Sequence, residues 1–220
     1  MTERGRGAAL PEAVEQVLRE LEPVAVLLHG SRAVARDRSD SDWDICVLVD
    51  SAAEPRCLSQ LVGDVWLDLD VLPVGAEDTV MTEVFGTSLR SARVLRDSPD
   101  HIGAAFVARA REIHEQGRRL PTSTLVEQAA HAERVAKRMA ASTGQADLFF
   151  FHLSTCFGLA VRYWFDRVGR WPEAPDEALE SIAAADPDYA SLLSKLSSDA
   201  CAEAKARAAE AIVGRLRVDT

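Results

Sequence analysis

Apolar and polar residues follow two different periods along this chain, and the change falls near Pro99. In LPEAVEQVLREL, residues 10–21, Leu10, Val14, Val17, Leu18 and Leu21 recur at three- and four-residue intervals, which predicts an amphipathic helix with Pro11 in its first turn. Pro23 closes that helix, VAVLLH follows as a short buried strand, and Gly30-Ser31 turn the chain into RAVARD, which has room for one or two helical turns. WDICVLV reads as a second strand with Trp43, Ile45, Val47 and Val49 on one face. Residues 54–62 read as helical. VWLDLDVLP is a third strand, ended by Pro73, with Asp68 and Asp70 sharing a face. AEDTVMTEVF reads as a short helix and SARVLRD as a peripheral fourth strand, stopped by Ser98-Pro99.

Beyond Pro99 the strand period disappears. The chain becomes rich in Ala, Glu, Arg and Leu, with breaks at Gly117, Pro121, Gly144, Pro172, Pro175 and Pro187. Helices are expected over 100–118, 122–141, 146–168, 174–185 and 187–215. The third, LFFFHLSTCFGLAVRYWF, is apolar enough to be the centre of a bundle. Strands interleaved with helices, then helices alone, predict an α/β or α+β head followed by an all-α bundle, divided as residues 1–98 and 99–220.

The acids break this apolar pattern. Residues two apart in a strand point the same way, so Asp42 and Asp44 project together, opposite to Trp43 and Ile45. If the strands carrying Asp44 and Asp68 are neighbours, three or four carboxylates meet. At about 5–6 Å and an effective dielectric near 20, each pair repels by roughly 3 kcal/mol, and three pairs by about 10 kcal/mol, the scale of a whole domain's stability. In open water each pair would cost about 1 kcal/mol or less. The bland reading is therefore a solvated edge face. The flanking Trp, Ile, Leu and Val residues argue instead for a half-buried face relieved by a hard divalent cation, and oxygen-only ligation suits Mg²⁺ better than zinc. Gly30 opens a turn whose backbone N–H groups at Gly30, Ser31 and Arg32 can face an anion, with the Ser31 hydroxyl and the Arg32 charge as further donors.

A strand, Gly-Ser, a short helix, an Asp-x-Asp strand and a later acid on a strand form a pattern that resembles the nucleotidyltransferase superfamily of DNA polymerase β. The matching stretches are LLHGSRA, SDSDWDICVLV and VWLDLDVLP. The chain most resembles the minimal and the antibiotic-modifying (kanamycin-type) branches, which carry a helical domain after the catalytic one. The likeness is specific over residues 24–72 and loose over the helical half, and VARD stands where the family often has a further Gly. The resemblance implies a small mixed sheet and assigns Asp42, Asp44 and Asp68 as ligands of two Mg²⁺ ions. It gives Gly30, Ser31 and Arg32 to the nucleotide, and makes Asp70 either the third acid itself or an auxiliary catalytic group. It implies ATP as donor, AMP as the group moved, and a hydroxyl of a small molecule such as an aminoglycoside-like antibiotic as acceptor. The rivals are an antitoxin-type enzyme that adenylylates a protein, and a regulatory module that binds nucleotide without turnover.

Composition trims these readings. The net charge of −10 excludes a scaffold that works by broad phosphate neutralisation, so extended nucleic-acid binding is not expected. The start lacks a signal-peptide h-region and no run approaches membrane-spanning length, so no membrane partner is expected. Cys46, Cys57, Cys156 and Cys201 have no CxxC spacing, which fits a reduced cytoplasmic setting without zinc. The helical half also offers a surface for a homodimer. His29 reads as a strand cap, while Asp37, Asp40 and Ser41 read as turn residues. Arg162, Tyr163, Trp164 and Trp171 read as bundle core and rim, with an acceptor pocket as the rarer alternative. His152 and Cys156 read as core. Arg109 and His114 show the Arg-x4-His spacing of HEPN ribonucleases, which arises easily by chance on a charged helix. Glu127 and Asp147 are named only as carboxylates of the helical half that could serve as a base.

Overall fold

In the computed structural model, which describes residues 9–50, 54–75, 88–173 and 175–217, five strands form one mixed sheet. They are β1 (Ala25–Leu28), β2 (Trp43–Val49), β3 (Arg56–Val62), β4 (Val65–Pro73) and β5 (Arg93–Arg96), in the order β3-β4-β2-β1-β5. Only β2 and β4 run parallel; the other neighbours are antiparallel. One face of the sheet is apolar over its three central strands: Val26, Leu28, Trp43, Ile45, Val47, Val49, Leu67, Leu69 and Val71 pack with Val14 and Leu18 of helix α1 (Glu12–Glu20). The spacing of those two helix residues is the four-residue interval read in the sequence.

The chain divides into two compact units, residues 1–115 and 116–220. The sequence places the division after Ser98, but helix α3 (Ile102–Gln116) goes with the sheet up to Glu115. Asp97 holds its first turn, accepting from the N–H groups of Gly103 (2.7 Å) and Ala104 (3.0 Å). A Cβ on Gly103 would stand 2.9 Å from the Ala25 Cβ, so the missing side chain is what lets α3 lie against β1.

Residues 56–62, expected within a helix, form the edge strand β3. Gly63-Asp64 join Val62 to its partner Val65 in a two-residue hairpin, with Gly63 at φ +63°. The pairing with β4 outweighs the local helical spacing of Cys57, Leu58 and Leu61. The short helix expected over residues 76–85 lies outside the described residues.

In the second unit, α4 (Thr122–Ala141), α5 (Ala146–Val168), α6 (Pro175–Ala185), α7 (Pro187–Ser197) and α8 (Ala202–Leu216) share a core. Leu153, Cys156, Ala160, Trp164 and Phe165 of α5 lie in it with Met139, Ile182, Tyr189, Leu193 and Ile212. The helix expected over 187–215 is broken at Ser198, whose Oγ donates to the Lys195 carbonyl and accepts from the Ala200 N–H, a local alternative to helix bonding. No run of membrane-spanning length is expected from the sequence, but α5 at 23 residues is by length and composition long and apolar enough to cross a membrane; one face of it lies in the bundle core.

Candidate metal centre

The parallel pairing of β2 and β4 brings the acids together. Trp43 stands opposite Leu67, Asp44 opposite Asp68 and Cys46 opposite Asp70. Because both strands alternate in phase, Asp44 and Asp68 share the face opposite the α1 core, and Asp42 leads into β2 two residues ahead on that same face. Donor oxygens of Asp42, Asp44 and Asp68 all lie within 4.8 Å of one another, with Asp44 and Asp68 half-buried. Burial pushes the Asp44 carboxyl above the usual carboxylate range; His29 opposes this, and the charges of Asp42, Asp68 and Asp70 add to it.

Gly30 opens the four-residue helix α2 (Gly30–Ala33) directly behind Asp44. It has φ +65°, and a Cβ there would fall 2.0 Å from the Asp44 Oδ2, so conformation and space each require glycine. The His29 N–H donates to the Asp44 carbonyl at 2.9 Å, continuing the β1/β2 ladder to the start of α2. Gly30 and Ser31 therefore sit at the same end of the sheet as the three acids.

The resemblance gives Arg32 to the nucleotide; in the structure its guanidinium binds the loop that carries the acids. Nε donates to the Asp42 carbonyl (2.8 Å), one terminal nitrogen to the Ser41 carbonyl (2.6 Å) and the other to Asp37 (3.1 Å). Its charge lies 4.5 Å from the centre of the Trp43 ring. It fixes the backbone of Asp42 and so acts on the acid cluster through that residue.

Asp70 shares the face of Asp68 but is kept out of the cluster. It is 9% exposed, 3.4 Å from the Nε2 of the buried His29, an approach without hydrogen-bond geometry. Its neighbours across the ladders are Cys46 and Cys57. A hydrogen bond to Asp70, then burial, pushes the Cys57 thiol up to about 11, and burial first and Asp70 second push the Cys46 thiol up further. The third position of the acid cluster is thus Asp68, while Asp70 supports His29 from behind.

The remaining candidates separate. Asp40 pairs with Arg38, and the Ser41 Oγ accepts from the Arg38 N–H, which are turn roles. Arg109 pairs with Glu112, while His114 meets Arg90. Trp164 and Cys156 are core; Trp171 is buried under the Arg118 guanidinium, and Tyr163 meets His131. Glu127 and Asp147 are exposed. Two residues absent from the sequence reading stand beside the acids. Trp66, two before Asp68, shares its face, and Leu61 of β3 is its cross-strand partner. The alternation of VWLDLD already contains the first; the second is visible only once β3 is known to be a strand.

The donor set fits a hard divalent cation: three carboxylates from two adjacent strands, oxygen only, half desolvated, and open to solvent on the side of Trp66. No protein family matches the chain by its sequence, and no curated protein matches it. Among solved structures it is similar to a nucleotidyltransferase-like protein from Exiguobacterium sibiricum 255-15, at 12% identity and a TM-score of 0.49, over 93% of this chain and 73% of that one.

Proposed function

We propose that the protein is a Mg²⁺-dependent nucleotidyltransferase that moves AMP from ATP to a hydroxyl of a small molecule such as an aminoglycoside-like antibiotic. One observation carries the reading: Asp42, Asp44 and Asp68 converge within 4.8 Å, with the Gly30 backbone pressed against Asp44. Asp42, Asp44 and Asp68 would hold two Mg²⁺ ions, which when bound neutralise the pyrophosphate leaving group and make the acceptor hydroxyl more acidic. Gly30 and Ser31 hold the terminal phosphates. Arg32 keeps Asp42 in place, and the Asp70–His29 contact stiffens the end of β1 from which Gly30 departs. The protein's part is positioning and charge balance rather than covalent chemistry. Its four cysteines are free thiols, which supports a reducing, cytoplasmic setting.

The test is transfer of label from α-³²P-ATP in Mg²⁺ by wild type and Asp42→Asn, offered a panel of aminoglycosides and, separately, a host lysate. Label on an antibiotic with wild type alone is the expected result. Label on a protein band would move the acceptor to a polypeptide. Equal labelling by Asp42→Asn would overturn the metal reading, and nucleotide binding without any transfer would leave a regulatory module.

A further inference from the structure

The acid face does not end at Asp68. One two-residue step towards the Gly63-Asp64 hairpin, about 7 Å along the strand, it continues into Trp66 and its partner Leu61, which are 56% and 58% exposed. Ser59 stands opposite Asp68 on the same face, so these two polar residues separate the apolar pair from Cys57 and buried Asp70. The β2/β4 ladder opens with Trp43 opposite Leu67, so Asp42 and Trp66 are the residues just ahead of its first pair on the two strands. Trp66 and Leu61 thus form an exposed apolar pair that borders the acids on one face of the edge hairpin.

Strand order relates that pair to the cradle and the acids. The Gly30-Ser31 turn leaves β1, Asp42 and Asp44 lead into and sit on β2, Asp68 is on β4, and Leu61 is on β3, so cradle, acids and apolar pair follow one another across the sheet. In phosphoryl transfer the attacking and leaving oxygens are in line. With the terminal phosphates at Gly30 and Ser31, the attacking hydroxyl arrives from the far side of the α-phosphorus, over β4 and β3. Its oxygen bonds to that phosphorus, the bond to the bridging oxygen of the β-phosphate breaks, pyrophosphate leaves with the electron pair, and the hydroxyl proton passes to water.

We propose that Leu61 and Trp66 form the floor of the acceptor subsite, on which a hydroxyl-bearing compound lays the face of a sugar or aromatic ring. This rests on the nucleotidyl-transfer reading above. A ring face on an indole, with Ser59 at its edge to meet a second hydroxyl, selects ring-bearing acceptors over extended, flexible ones.

The experiment uses the full chain labelled with 5-fluorotryptophan, whose four indoles give separate ¹⁹F signals, Trp66 being assigned with Trp66→Phe. The probes are α,β-methylene-ATP with Mg²⁺, followed by a panel of aminocyclitols, monosaccharides and nucleosides. The nucleotide analogue alone should leave the Trp66 signal in place, and panel members that accept label should move it. Trp66→Ala and Leu61→Ala should each raise the acceptor KM about tenfold while the ATP KM and the thermal midpoint stay unchanged, and Trp66→Phe should restore most of the loss. A Trp66 signal that no panel compound moves, an acceptor KM indifferent to both alanines, or an ATP KM that rises in Trp66→Ala would overturn the assignment, the last by giving the indole to the nucleobase. Terbium luminescence titrations of wild type and Asp42→Asn report separately on the metal site. A wild type that binds no Tb³⁺ and transfers no label sinks the underlying reading, while the ¹⁹F shifts still judge the subsite.

Discussion

Replacing Asp44 by Asn should make the metal-free protein more stable and leave it unresponsive to Mg²⁺. The carboxylate oxygens of Asp42, Asp44 and Asp68 lie within 4.8 Å of one another, so each pair repels by about 3 kcal/mol at an effective dielectric near 20 and by about 1 kcal/mol in bulk water. Asp44 has two such partners and is half-buried, which places each pair between those limits. Rotation of exposed Asp side chains and partial proton uptake relieve some of the strain, leaving a net gain of about 1–3 kcal/mol for the amide, or about 3–10 °C in the midpoint of the first unit. Asparagine keeps the volume against which Gly30 packs, so no cavity offsets the gain.

The assay is thermal unfolding followed by near-ultraviolet circular dichroism, in EDTA and in Mg²⁺. Wild type should gain about 2.7 kcal/mol at a hundredfold excess of Mg²⁺ over its dissociation constant, and Asp44→Asn almost nothing. The pH dependence has a definite sign. The folded-state pKa of Asp44 is raised above the ordinary 3.8, so the unfolded chain gives up this proton first, and its contribution to stability falls as pH rises above 3.8. The advantage of Asp44→Asn therefore appears over that rise and disappears below it. A variant that is less stable than wild type in EDTA, and is still stabilised by Mg²⁺, would refute the reasoning and return these acids to an ordinary solvated face.

Gly30→Ala should cost about 1–3 kcal/mol and weaken Mg²⁺ binding at least tenfold by calorimetric titration, because φ +65° and the Asp44 carboxylate leave no place for a Cβ. Asp68→Asn should abolish Mg²⁺-dependent transfer, whereas Asp70→Asn should retain Mg²⁺ binding and lower the thermal midpoint by taking the carboxylate away from beside the buried His29 Nε2; the reverse order of damage would exchange their roles. Arg32→Ala should destabilise the first unit by about 2 kcal/mol in urea unfolding, and Arg32→Lys should restore little, since one ammonium cannot span the Ser41 and Asp42 carbonyls as the guanidinium does. In the second unit Asp186 caps α7. Burial opposes its charge, but the Tyr189 N–H and Arg215 outweigh it and hold the carboxyl below 3.8. Asp186→Ala should thus cost about 1 kcal/mol at neutral pH. The share owed to the charge is present above pH 3.8 and is lost as pH falls through the lower folded-state value, which urea titrations at pH 7 and pH 3 would show.

The parts of this structure that a sequence can reveal are those set by local period. Asp42 and Asp44 two apart, Asp68 on a strand and Gly30 after an apolar run are legible because alternation and turn chemistry act over a few residues. Whether Asp44 and Asp68 meet depends on β2 and β4 being neighbours, which no local pattern states. β3 was hidden for a related reason: Cys57, Leu58 and Leu61 have helical spacing, and only the long-range ladder to β4 decides against it. With β3 hidden, Leu61 had no visible connection with the acids. Arg32 was hidden differently. Ten residues separate it from Asp42, and nothing in that spacing says that its donors fold back onto carbonyls of its own loop.

The choice between Asp68 and Asp70 shows what the fold adds. By alternation the two are equivalent, one step apart on one face. In the structure that face is a gradient along β4: Trp66 is 56% exposed, Asp68 half-buried, Asp70 9% exposed and Leu72 fully buried. Each step of about 7 Å moves a side chain one stage out of water. At the open end a carboxylate is hydrated and has little need of a cation; at the closed end it is cut off from water and needs a polar neighbour inside the protein, as Asp70 has the His29 ring 3.4 Å away. Between the two, at Asp44 and Asp68, desolvation is enough to make three carboxylates costly on their own, while one side stays open to an incoming ligand. The proposed metal site lies at that depth, and the register of β2 on β4 is what sets the three acids there.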